Sequence, residues 1–149
     1  MQKEDVNDFL SQKILVLYGA SRSSGKFGNT VLKELSQKGY KILPVHRQAD
    51  QIDGFICYPF LSALPEKPGG AVLVIPPAQT ELVVQELHAA GIKRIWMQFG
   101  SQSESAISFC RKHDLKVIYD ACILMFAEPL AAPHRIHRWL WKMFGKLPK

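Results

Sequence analysis

Long hydrophobic runs are missing from this chain of 149 residues. No apolar stretch approaches the ~20 residues that a membrane-spanning helix needs. Cysteine is scarce: Cys57, Cys110 and Cys122 are odd in number and show no C-x-x-C spacing. That argues against a disulfide framework or a thiolate zinc site, so no metal is expected, and it fits free thiols in a reducing, cytoplasmic setting. The first eight residues are polar and acidic, unlike the start of a secretory signal. A basic nucleic-acid groove is not expected either. The net charge is +6, but residues 1–132 hold nearly as many acids as bases, and residues 133–149 carry five Lys/Arg with no acid.

Two further absences narrow the chemistry. The loop after the first apolar run lacks the Gly-x-Gly-x-x-Gly spacing of dinucleotide sites, because Ser21 and Ser24 stand where glycines would be needed. It is no NTPase P-loop, since Phe27 follows Gly25-Lys26 in place of Ser or Thr. What is present still has the outline of a phosphate cradle. Residues 14–18 read as a strand buried on both faces, Gly19 breaks it, and a loop of small residues leads into a helix over residues 30–38. Backbone N–H groups without a Cβ in the way, at a helix N-terminus, suit an anion. The segment predicts a phosphorylated small-molecule ligand.

Apolar runs and helical patterns alternate along the rest of the chain. Strands are expected at residues 40–45, 71–75, 94–97 and 116–119, and helices at 5–11, 80–90 and 103–113. Residues 51–54 carry turn chemistry, and residues 61–65 read as a short helical turn closed by proline. Five strands at this spacing predict an α/β fold over residues 1–132. It is a Rossmann-like open parallel five-stranded sheet with helices on both faces, order 3-2-1-4-5. Ligands of such sheets lie beyond the carboxyl ends of the strands. Topology therefore nominates Gly19 to Arg22, His46 and Arg47, Pro76 and Pro77, Gln98 to Gly100, and Asp120 to Cys122. After the second strand there is no carboxylate of the kind that holds the ribose of NAD. The bases His46 and Arg47 suit the phosphorylated ribose of NADP or coenzyme A instead.

A family resemblance rests on residues spread over positions 14 to about 126. They include Gly19-Ala-Ser21, Lys26-Phe-Gly-Asn29, Pro44-Val45, Ile52-Asp-Gly54, Cys57-Tyr-Pro59, Pro76-Pro77, Trp96-Met-Gln98, Gly100 and Cys122-Ile123. In these the chain resembles the small stand-alone CoA-binding proteins, which are similar to the N-terminal CoA-binding domain of the succinyl-CoA synthetase α subunit. The resemblance implies coenzyme A or an acyl-CoA as ligand. The pyrophosphate would sit on Gly19, Ala20, Ser21 and Arg22, with Lys26, Phe27, Gly28 and Asn29 completing the loop. The adenosine part would lie between the loops after strands two, three and four. Gln98, Phe99 and Gly100 would form part of the wall, with Cys122 at the ligand end. A bulky residue at Gly19 is expected to fill the space of the pyrophosphate. His46-Arg47-Gln48 departs from the Asn-Pro-basic pattern usual in the family, and Phe99 replaces a frequent proline.

No catalytic constellation stands out, and the resemblance covers only a CoA domain, so the expected role is a binding module without catalysis. An enzyme using NADP or an acyl-CoA is the alternative. The basic segment 133–149 is expected to form a separate amphipathic helix with Ile136, Trp139, Leu140, Met143 and Phe144 on one face. Such a stripe packs on the domain or on a second copy in a homodimer; a membrane surface, or an acidic protein, is its other use.

Overall fold

Alternate residues of the first strand point into two different cores, and this sets the layering of the molecule. The computed structural model describes residues 1–128. Helix α1 (Lys3–Leu10) leads into strand β1 (Ile14–Tyr18) and helix α2 (Phe27–Gln37). Strand β2 (Lys41–Val45) is followed by a two-stranded hairpin, β3 (Gln51–Ile52) and β4 (Phe55–Ile56), and a 3-10 turn at Leu61–Ala63. Next come β5 (Gly70–Leu73), α3 (Pro77–Ala89), β6 (Arg94–Gln98), α4 (Glu104–Lys112), β7 (Lys116–Ala121) and a last 3-10 turn at Ile123–Met125. The basic segment 133–149, with the homodimer and membrane uses expected of it, lies outside the described residues.

Leu15 and Leu17 face one core together with Val72, Trp96 and Ile118. Helices α1 and α2 and residues 122–127 cover that side through Phe9, Leu32, Leu35 and Leu124. Val16 and Tyr18 face the other core with Ala71, Leu73, Ile95 and Met97, under α3 and α4. Phe9 meets the Trp96 ring edge-on at 5.4 Å, and the Trp96 indole N–H donates to the Ala121 carbonyl at 3.0 Å. The aromatic centre of the first core is thus fixed in orientation as well as buried.

All pairings in the main sheet are parallel, as expected, and helices cover both faces. The strand order is not the expected one. It runs β2-β1-β5-β6-β7, so the third long strand lies beside the first and not outside the second. The reason is in β2 itself. Pro44 has no N–H to give to a further strand, and its carbonyl instead accepts from the Tyr58 amide at 2.9 Å on the outer side of the sheet. An edge place suits a strand that carries proline and starts with exposed Lys41. The four residues of β5 are all buried, which suits an interior place. Between β3 and β4 the turn residues Asp53 and Gly54 both have positive φ, 50° and 83°, the conformation that an Asp-Gly pair favours.

At the amino ends of the strands, Arg94 and Lys116 are register partners and would repel each other. Asp8 of α1 separates them. Its carboxylate takes a two-point contact from Arg94, at 2.9 and 3.2 Å, and a third from Lys116 at 2.8 Å. These hydrogen bonds, Arg94 first, hold the Asp8 carboxyl down at about 2. An unfolded aspartate titrates near 3.9. The depressed value means that the stabilisation is complete above about pH 5 and is lost as pH falls through 2. Because the groups are partly exposed, its size is about 1 kcal/mol. Urea melts should therefore show Asp8→Asn less stable by about that amount at pH 7, with the gap closing by about pH 2. A gap that stays constant with pH would show that the charge is not what holds α1 there.

Candidate functional site

The loop leaving β1 is squeezed from both sides. Gly19 has φ +116°, and a Cβ placed on it would overlap the Val74 carbonyl just beyond β5. A Cβ on Gly28, in the first turn of α2, would overlap the carbonyl of Gly19. Helix, loop and neighbouring strand therefore meet at a distance that only hydrogen at both Cα positions permits. This changes the reason for Gly19: a side chain there collides with Val74 of the protein itself before any ligand is considered.

Asn29 closes the loop from inside. It is 5% exposed, its Oδ1 accepts from the Ser21 amide at 2.7 Å, and its Nδ2 donates to the Ser21 carbonyl at 2.8 Å. The Ser21 hydroxyl accepts from the Ser23 amide at 3.1 Å. Asn29 thus holds the loop's shape from below, and its side chain is spent there. Helix α2 begins with Lys26 as N-cap, with no side chain capping it and no acid in its first turn. The first amides of the helix, at Phe27 and Gly28, have no intrahelical acceptor. With the helix dipole they form a positive end beside Arg22 and Lys26.

A groove of about 980 Å³ runs from this loop between α3 and the segment that follows β2. Gly19, Ala20, His46 and Arg47 of the expected set line it. His46 takes part in its own turn: Nδ1 accepts from the amides of Gln48 at 3.1 Å and Ala49 at 2.9 Å, which leaves the ring proton on Nε2. Arg22 donates to Gln48 Oε1 at 2.8 Å and so ties the loop after β1 to the loop after β2. Pro76 and Pro77 start α3, Pro76 as its N-cap.

Other expected residues stand apart from the groove. Ser21, Lys26, Phe27 and Gly28 lie with Asn29 in the loop and first turn of α2, and Phe27 is 45% exposed. Gln98 is not a wall residue. It is buried, and its Oε1 accepts from the Ile123 amide at 3.0 Å, because a polar side chain ending an interior strand must find a partner inside. Phe99 is 67% exposed, and the Gly100 amide donates to the Gln102 side chain. Cys122 is half-buried, and burial pushes its thiol up, as it does for Cys57 and, to about 12, for Cys110. All three are free cysteines, and thiols held protonated are poor nucleophiles.

Sequence reasoning missed Tyr18, Phe60, Leu82 and Glu86, all on the groove. The signal for Leu82 was the apolar count of α3. Thr80, Val84 and Leu87 fill the core-facing side, which leaves Leu82, 65% exposed, on a second stripe. Tyr18 is buried and its hydroxyl has no hydrogen-bond partner among the described residues. Burial first, then the charge of Glu86, pushes its phenol up to about 12 against the opposing pull of Arg47.

A five-stranded parallel sheet with helices on both faces and a groove at its carboxyl edge is a Rossmann-like α/β domain. Within that class the chain belongs to the CoA binding domain family, whose model matches residues 13–128. It is 25% identical over 129 residues to the ADP-forming acetate–CoA ligase I of Archaeoglobus fulgidus, covering 80% of this chain and 19% of that protein. The chain thus spans about a fifth of the length of that relative. Among solved structures, a conserved hypothetical protein from Pyrococcus furiosus is 36% identical, with a TM-score of 0.70, covering 74% of this chain and 96% of its own. A hypothetical protein from Pyrococcus horikoshii is 27% identical, with a TM-score of 0.77, covering 83% and 87%.

The squeeze on the loop makes two glycines unequal. Gly25 also has positive φ, at +79°, but a Cβ there meets nothing within 4 Å. Gly25→Ala should cost about 1–2 kcal/mol in chemical denaturation, the strain of a left-handed residue. Gly19→Ala should cost about 3 kcal/mol or more, since overpacking against backbone is added to strain. Equal costs for the two variants would deny the close approach to Val74.

Proposed function

We propose that this chain binds coenzyme A or an acyl-CoA as a non-catalytic module. The observation that carries the reading is the uncapped, glycine-squeezed start of α2 standing beside a large groove, in a member of the CoA binding domain family. The pyrophosphate lies against the loop from Gly19 to Asn29, where amides and the helix dipole favour an anion. The adenosine half enters the groove, with Arg47 directed to the 3′-phosphate. The arm carrying the thiol runs along the rim toward Phe99 and Cys122. The role as a module without chemistry rests on two supports. The relatives that are ligases extend far beyond the part matched by this chain, and the thiol nearest that rim is held protonated by burial.

A second reading, an NADP- or acyl-CoA-using enzyme, draws on Arg47, which would serve either phosphorylated ribose. Calorimetry with coenzyme A, dephospho-coenzyme A, NADP and NAD separates the two. Coenzyme A should bind best and NAD worst. Dephospho-coenzyme A should be weaker by about 1–3 kcal/mol, the range of a charge-assisted hydrogen bond. Arg47→Ala should abolish that difference. Equal binding of the two coenzyme forms to the unaltered protein would remove Arg47 from the role. Tighter binding of NADP than of coenzyme A would favour the enzyme reading.

A further inference from the structure

Glu86 is out of place in a groove for a polyanion. Among the described residues it is the only acid on the groove's lining. It stands exposed on α3, and no ion pair or side-chain hydrogen bond engages its carboxylate among the described residues. A carboxylate there repels every phosphate of the ligand, and this cost is offset only if it meets a donor on the same ligand.

Arg47, in the segment after β2, and Glu86, on α3, line the same groove, and they act on the Tyr18 phenol with opposite sign. Val45, Ile75, Leu82 and Val83 line the groove with them. A ligand that meets both charges here needs an anionic group for Arg47, an apolar body, and an N–H donor for Glu86. A phosphorylated adenosine carries all three: phosphate, base and exocyclic amine.

We propose that Glu86 reads the base of the coenzyme, its carboxylate accepting a hydrogen bond from the exocyclic amine of adenine. This rests on the coenzyme A reading and deepens it. Glu86 becomes a specificity residue, and its repulsion of the phosphates is offset by a charge-assisted hydrogen bond that a base without the amine cannot make.

The test is calorimetry on the full chain with coenzyme A and 1,N6-ethenocoenzyme A, which has the same charge and arm but no amine hydrogens. The unaltered protein should bind the etheno form about tenfold more weakly or worse. Glu86→Ala should weaken coenzyme A about tenfold and leave the etheno form within about twofold, so that the two ligands converge. The variant should keep its fold, since the residue is exposed on a helix, and a melting curve checks this. Three outcomes overturn the proposal. Glu86→Ala strengthens both ligands if the carboxylate only repels. It weakens both alike if Glu86 meets a different donor, such as an amide of the arm. It leaves the preference intact if the etheno ring is rejected by its bulk. In all three the coenzyme A reading stands, because the unaltered protein still binds. An unaltered protein that binds neither ligand overturns both.

Discussion

The carboxyl rim of this sheet depends on one close approach, the passage of the Gly19 backbone between the Val74 carbonyl and the first turn of α2 at Gly28. Two hydrogen atoms stand where side chains would otherwise force the strand and the helix apart. The approach fixes where α2 starts, and this brings Asn29 beneath the loop to bind Ser21 in both directions. The loop is then held by a buried side chain, and the helix amides above it are left without intrahelical acceptors. A sequence without the Gly-x-Gly-x-x-Gly spacing thus still brings strand, loop and helix start into close approach. Gly28 supplies the close helix packing, and Asn29 supplies a rigidity that the loop's small residues could not provide.

The groove follows from how the edge of the sheet is closed. The passage from β1 to β2 is filled by α2, but the return from β2 to β5 contains only a small hairpin and a 3-10 turn. Over β1 and β2, on the face that α3 and α4 cover further along the sheet, no helix lies among the described residues. Pro44 leaves the outer side of β2 with a carbonyl to satisfy, and Tyr58 satisfies it while its own carbonyl accepts from the His46 amide. This parallel bridge holds the start of the 58–62 segment against the edge strand. Pro59, Phe60, Leu61 and Ser62 then become one side of the groove, with α3 on another. The same backbone pairing that blunts an exposed edge also shapes the candidate site.

What the sequence made legible was local. Strands and helices were found because their apolar periods and stop signals act within a few residues. Gly39 and Gly91 have positive φ, 93° and 78°, just past the helices expected over residues 30–38 and 80–90. Strand order was not found from crossover rules, which allow more than one arrangement. Pro44 held the deciding information, and it becomes decisive only when the unmet donor is considered across the sheet. For the site, topology nominated residues at the carboxyl rim, of which Gly19, Ala20, His46 and Arg47 line the groove, but it could not give side-chain direction. Asn29 and Gln98 turn inward because buried polar groups seek partners. Leu82 and Glu86 face the groove because α3 has two sides in use, one on the core through Val84 and Leu87 and one on the groove.

The two ends of the sheet differ in how their polar groups are satisfied. At the amino end Asp8 pairs with both Arg94 and Lys116, and α1 is fixed by these pairs together with Phe9. At the carboxyl end the balance is left open. The Tyr18 hydroxyl is buried without a hydrogen-bond partner among the described residues, and it belongs to the last residue of its strand, on the groove. An unmet buried polar atom costs about 1–3 kcal/mol. A phenylalanine there would fill the same space without that cost. An unmet hydroxyl at the end where parallel sheets take their ligands, opposite a foot where the charges meet in one cluster, leaves interaction energy unspent at the rim.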